Sequence, residues 1–244
     1  MPKRLVLTIA FVLLLAPASA FAQIRQVGGP SSSDSRNSVH FYVGYFGLKG
    51  IESRDPDDVI VGDLVSAHPL LFEVNDLNRA TFGGEYLFAA NRRIEAGVGL
   101  GFSQRTISTV YADLTHSNDD EIRQDIKLRM IPVNFTGRFL ILPRGSSVEP
   151  YIGAGLTAIR YHYSEAGEFV DDAGTIFPAV FKTEGTAAGP IILAGARAPI
   201  ENWTVGGEFS WQKVMADVPA SEGFLGTKLD LGGWNFNFTV GLRF

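Results

Sequence analysis

In the stretch RYHYSEAGE, residues 160–168, three residues have the types that hydrolysis needs: His162, Ser164 and Glu165. A histidine base beside a serine hydroxyl, oriented by a carboxylate, can drive attack on an acyl carbon. A second set has the types of an ion-pair network. Glu85, Arg138 and Glu208 each lie a few residues from a short turn, and Glu95, Arg160, Arg197 and Arg243 are placed to extend the set. The acidic run HSNDDE, residues 116–121, with Asp55, Asp57, Asp58, Asp171 and Asp172, offers oxygen atoms of the kind divalent cations take. Its spacing is not that of an EF-hand, so it is read as solvated loop charge. GVGLG, residues 97–101, mimics a phosphate-binding loop but lacks the helix that must follow it. With no cysteine there is no thiolate metal site, disulfide or cysteine nucleophile. No metal and no cofactor is expected. Asn134, Asn202 and Asn237 begin N-x-T sequons to which no meaning is assigned.

Whether these groups meet depends on the elements that carry them. The chain closes on WNFNFTVGLRF, where Trp234, Phe236, Phe238, Val240, Leu242 and Phe244 alternate with Asn235, Asn237, Thr239, Gly241 and Arg243. Strict period two predicts a β-strand between two different environments. Eleven residues at roughly 3.3 Å rise, tilted about 40°, span about 27 Å, which fits the apolar band of an outer membrane.

Residues 1–22, MPKRLVLTIAFVLLLAPASAFA, carry a basic start, an apolar run and a small-residue exit at Ala20-Phe21-Ala22. That is the pattern of a secretory signal peptide. The formal charge of the whole chain is −5, and removal of Lys3 and Arg4 leaves −7. A mildly acidic chain argues against nucleic acid as a partner. No later apolar run reaches the length of a spanning helix, so a membrane form must be a barrel.

Residues 23–38 are rich in glycine and serine without periodicity and are read as a flexible periplasmic segment. Eight strand candidates follow, over residues 39–49, 79–89, 94–105, about 126–142, 150–163, about 187–198, 203–213 and 229–244. A bulge or slip is expected at Pro132, which cannot donate to a ladder. Short connections alternate strictly with long ones. The long ones are residues 50–78, 106–125, 164–186 and 214–228. That regularity predicts an all-β fold: an eight-stranded antiparallel transmembrane up-and-down barrel over residues 39–244, with short periplasmic turns, long external loops and both termini periplasmic. The first long loop contains VIVGDLVSAHPLLFEV, residues 59–74, too apolar for a solvated loop. It is expected to extend the strands as a hairpin or to fold over the mouth.

An alternating final strand ending on an aromatic residue resembles the targeting signal read by the outer-membrane assembly machinery. Trp234, Phe236, Phe238 and Phe244 would form that signal and the aromatic girdle. EPYIGAGLTAIRY, residues 149–161, resembles the fifth strand of the outer membrane protein A and W families of small barrels. The resemblance covers residues 39–244 and implies architecture rather than activity. His162-x-Ser164 also resembles the arrangement of lipid A deacylases, which are eight-stranded barrels too. That family has Asn after the Ser, where this chain has Glu165.

Alternation, with Tyr161 and Tyr163 assigned to the external girdle, turns His162 and Ser164 to the lumen, away from lipid acyl chains. The functional expectation is therefore a non-enzymatic outer-membrane barrel with a structural or surface-interaction role. Eight strands leave an interior that side chains fill, so Glu85, Arg138, Glu208 and Arg160 are expected to plug the lumen. The competing readings are a small-solute or hydrophobic-compound channel, and a hydrolase using His162 and Ser164. Expected partners are outer-membrane lipids, lipopolysaccharide and the assembly machinery, with the protein a monomer.

Overall fold

The structure is a computed structural model that describes residues 36–244 apart from residue 172. The signal peptide and nearly all of the 23–38 segment lie outside the described residues. Eight strands form the barrel: β1 (Asn37–Leu48), β2 (Arg79–Ala89), β3 (Ile94–Thr115), β4 (Glu121–Leu140), β5 (Glu149–Val170), β6 (Ile176–Ile200), β7 (Trp203–Gln212) and β10 (Gly233–Arg243). Each pairs antiparallel with its sequence neighbour, and β1 closes the ring on β10. A two-stranded hairpin, β8 (Met215–Asp217) with β9 (Lys228–Asp230), stands between β7 and β10.

The short connections are residues 90–93, 141–148 and 201–202, and they share one end of the barrel with both described termini. Glu201 has a positive φ of 55°, which lets the two-residue turn close. At the other end two of the four expected long loops are absent as loops. Residues 106–115 and 121–125 continue β3 and β4, and residues 164–170 and 176–186 continue β5 and β6. Only residues 116–120 and the described residues of the 171–175 connection remain between the strands. These strands project well past the others as two long hairpins.

The reason lies in a reversal of polarity along each strand. Near the turns the outward side chains are apolar, as with Val98, Leu100, Phe135, Ile152, Leu156 and Phe238, all exposed. That belt ends near Phe102, Ile131, Ala158, Trp211 and Trp234. Beyond it the outward positions are mostly polar, with Val180 an exception, while Ile107, Ile126, Leu128, Ile159 and Tyr163 point inward and are buried. Below that level the chain has the lipid-facing pattern of a membrane barrel. Above it the chain has the pattern of a water-soluble sheet with a covered apolar face.

The expected slip at Pro132 does not occur. Leu100 pairs with Val133 and Ser103 with Met130, the same register on both sides of the proline. The missing N–H removes a local ladder bond without shifting the strand. The register break in this hairpin lies between Val110 and Thr115 instead.

The first long connection folds into the mouth. A helix, α1 (Val59–Val65), starts at Asp58, whose carboxylate accepts from the Ile60 N–H at 2.9 Å. Val59 and Ile60 are fully buried against Leu77, Ile126, Leu128, Tyr163, Val214 and Leu229. The apolar loop thus caps the barrel rather than extending its strands. Arg54 holds the cap by bonding Asp58 at 2.9 Å and 3.2 Å and the Asp230 carbonyl at 2.9 Å.

Candidate functional site

Within the apolar belt the lumen is crossed by one arginine. Arg138 projects inward from β4, and its guanidinium lies 2.7 Å from Glu85 on β2 and 2.6 Å from Glu208 on β7. The pairing register explains the meeting, because these inward positions occupy nearly one level of the ring. Tyr151 donates to Glu208 at 3.0 Å, Thr136 donates to Glu85 at 3.3 Å, and the Arg138 guanidinium lies 4.9 Å from the Tyr151 ring centroid. The Arg138 side chain is 3 % exposed, and those of Glu85 and Glu208 are 11 % and 12 % exposed. The free space around the group, bounded also by His40, Tyr42, Asn134 and Asn237, is about 30 Å³. That is room for about one or two water molecules.

A second network closes the turn end. Arg197 bonds Glu95 at 2.6 Å and Glu149 at 2.8 Å, Arg144 reaches Glu95 at 2.8 Å, and Arg243 pairs with Glu149. Together the two layers hold Arg138, Arg144, Arg197 and Arg243 against Glu85, Glu95, Glu149 and Glu208. Equal numbers of opposite charges leave the interior near neutral, which a low-dielectric lumen requires. Sequence reasoning missed Arg144 and Glu149 because they sit in and beside a turn, where charges are usually solvated. Their one signal was opposite charge on either side of a short connection.

Arg160 does not belong to the plug. It lies on the outer face of β5, 63 % exposed and 3.7 Å from Glu184. The phase expected for β5 is inverted from residue 160 onward. Tyr161 and Tyr163 point inward and are buried in the cap, so they do not form a girdle. His162 and Ser164 accordingly sit on the outer face, not toward the lumen. His162 is 3.5 Å from Glu184, and no hydrogen bond joins it to Ser164 among the described residues. Glu165, the carboxylate a hydrolytic triad would use, points to the opposite face. The three residues do not form a nucleophile, base and orienting acid.

The outer face around His162 and the buried Ser164 is instead a basic surface. Across β4, β5 and β6, Lys127 pairs with Ser164 and Ser164 with Lys182, while Arg129 pairs with His162 and His162 with Glu184. With Arg160, this places four cationic side chains and one acid just above the apolar belt. Trp234, Phe236 and Phe238 face outward on β10, and Phe244, just beyond its end, is exposed. Phe244 exchanges backbone hydrogen bonds with Asn37, at 3.0 Å and 3.2 Å.

The acidic loop residues are engaged locally. Asp57 bonds Thr227, and Asp171 accepts from the Thr175 and Ala173 N–H groups at 2.7 Å and 3.0 Å. Among the described residues no group of three metal-ligating side chains converges.

No protein-family model matches the chain, and no curated protein sequence matches it. Solved structures do. The outer membrane protein OprG from Pseudomonas aeruginosa is 10 % identical with a TM-score of 0.50, covering 86 % of this chain and 96 % of its own. Neisserial surface protein A is 12 % identical with a TM-score of 0.44, covering 88 % and 100 %. The N-terminal β-barrel domain of Pseudomonas aeruginosa OprF is 13 % identical with a TM-score of 0.41, covering 86 % and 100 %. At such identities the likeness is one of fold, and the chain has the fold of the small eight-stranded outer-membrane β-barrels.

Proposed function

We propose that the protein is a non-enzymatic outer-membrane barrel with a closed lumen, both termini periplasmic, and a folded cap displayed at the cell surface. The observation that carries the reading is Arg138 bridging Glu85 and Glu208 across the lumen, beneath an apolar cap. Ions would have to cross a paired, dehydrated charge layer and then a greasy one. Purified wild-type protein in a planar bilayer should therefore show little steady conductance. A large, stable conductance would refute the closed lumen and favour a solute channel.

The basic surface supports the orientation. Lys127, Arg129, Arg160 and Lys182 flank the apolar belt at the long-loop end. Phosphorylated lipopolysaccharide headgroups in the outer leaflet complement such a patch. Replacing the four with glutamine should lower the lipopolysaccharide that copurifies with the barrel severalfold, without loss of the folded form. Unchanged lipopolysaccharide would count against that partner and that orientation. Phe244 and the aromatic face of β10 serve, on this reading, as the signal presented to the assembly machinery.

A further inference from the structure

The cap contains a cavity that the closed lumen does not use. It measures about 310 Å³ and lies between α1, the projecting parts of β3 to β6 and the segment around Gly223. That is the lower end of the size range of small-molecule pockets. Its floor holds Asp63 and Glu165, 3 % and 5 % exposed, with Gln124, also 3 % exposed. Its walls include Phe169, Phe177 and Phe181, and the rings of Phe169 and Phe181 meet edge to face at 4.7 Å. Gly223, at φ +83°, brings the loop against the Phe181 ring, where a Cβ would lie 2.8 Å from a ring carbon. His68, Ala67 and Leu225 form an exposed rim.

The polar groups of this floor are incompletely paired. Tyr163 donates to Asp63 at 3.3 Å, but Glu165 Oε1 and Gln124 Oε1 are buried with no hydrogen-bond partner. No Lys or Arg stands among the described residues that line the cavity. His68 at the rim is engaged with Asp113 at 2.9 Å. Two adjoining buried acids with no cation among the residues that line the cavity are a costly arrangement.

We infer that the cavity is a binding site for a small organic cation, an ammonium group carried on an apolar or aromatic body. The ammonium would supply the missing positive charge to Asp63 and Glu165 and donate to Glu165 Oε1 and Gln124 Oε1. The apolar body would lie among Phe169, Phe177 and Phe181, whose ring faces attract cations. A bare divalent ion fits less well, because two carboxylates and one amide oxygen fall short of its usual six to eight ligands. The inference concerns the cap alone and does not depend on whether the lumen conducts.

The test is isothermal titration of the full refolded barrel, in an uncharged detergent at about pH 8, with phenethylamine. The same titration with 2-phenylethanol supplies the body without the charge. Saturable one-to-one binding of the amine is expected, with the alcohol at least about tenfold weaker. Glu165→Gln should weaken the amine at least about tenfold and leave the alcohol unchanged. Glu184→Gln, on the outer face, should alter neither. Should Glu165→Gln lose the heat-modifiable gel shift of a folded barrel, Asp63→Asn takes its place, and the amine-to-alcohol contrast on wild type stands by itself. Absence of saturation by the amine, equal affinity for the alcohol, or undiminished binding in a folded Glu165→Gln protein would each overturn the site.

Discussion

Replacing Arg138 with alanine should destabilise the barrel by roughly 3–5 kcal/mol. The substitution leaves Glu85 and Glu208 facing each other without their cation, in a lumen whose free volume around the intact group is only about 30 Å³. It also removes the guanidinium lying over Tyr151. Removing one member of a buried ionic group is worse than removing all of it, since the remaining charges lose their partner but keep their dehydration. The triple change Arg138→Met, Glu85→Gln and Glu208→Gln should therefore recover most of the loss. Urea unfolding in detergent, followed by the gel shift between folded and unfolded forms, gives the comparison. If the barrel survives by admitting water, conductance should rise in Arg138→Ala and fall again in the triple variant. An alanine variant with wild-type unfolding and wild-type conductance would show that Arg138 closes nothing.

The ion pairs of Arg138 with Glu85 and Glu208 were legible in the sequence because the membrane makes its strands easy to phase. Within the belt, lipid outside and a polar lumen inside set every second residue apart. β2 begins and ends where alternation predicts, and β1, β7 and β10 differ by a few residues at most. Arg138 and Glu208 follow from that phase. The same rule misplaces Arg160, His162 and Ser164, because above the belt the contrast reverses. Water lies outside and the apolar cap inside, so an aromatic such as Tyr163 points inward where a lipid-facing rule sends it outward. A sequence carries the alternation but not the height at which its meaning changes. The long hairpins were hidden for the same reason: residues 106–115 and 176–186 stop looking like membrane strands while remaining strands.

Asp63 was equally hidden. A lone acid in VIVGDLV is the only sign of it, and nothing in the chain announces that Glu165, a hundred residues later, will adjoin it. Once they adjoin in the cap, both titrate abnormally. Burial, reinforced by Glu165, raises Asp63 well above the usual carboxylate range. Burial pushes Glu165 from 4.5 up to about 7. Both lie above the apolar belt, in water-facing structure.

The consequence is a cap more stable in mild acid than in mild base. Between about pH 4.5 and 7 the folded cap holds a proton on this pair that the unfolded chain has released. Stability therefore falls as pH rises through that window. A rise of Glu165 from 4.5 to about 7 corresponds to up to about 3 kcal/mol, shared with Asp63 because the two titrate together. Glutamine at position 165 cannot ionise, so Glu165→Gln should stabilise the cap at about pH 8 and do little at about pH 5. The comparison is made in a His68→Gln background, so that the rim contact between His68 and Asp113 is absent from both proteins. Amide hydrogen exchange across Ile126, Leu128 and Tyr163, corrected for its intrinsic pH dependence, reads the cap directly. Protection should drop from acid to base in the parent and drop less in the Glu165→Gln protein, where Asp63 alone remains to titrate. Equal pH dependence in the two would mean that the buried acid pair does not govern the cap.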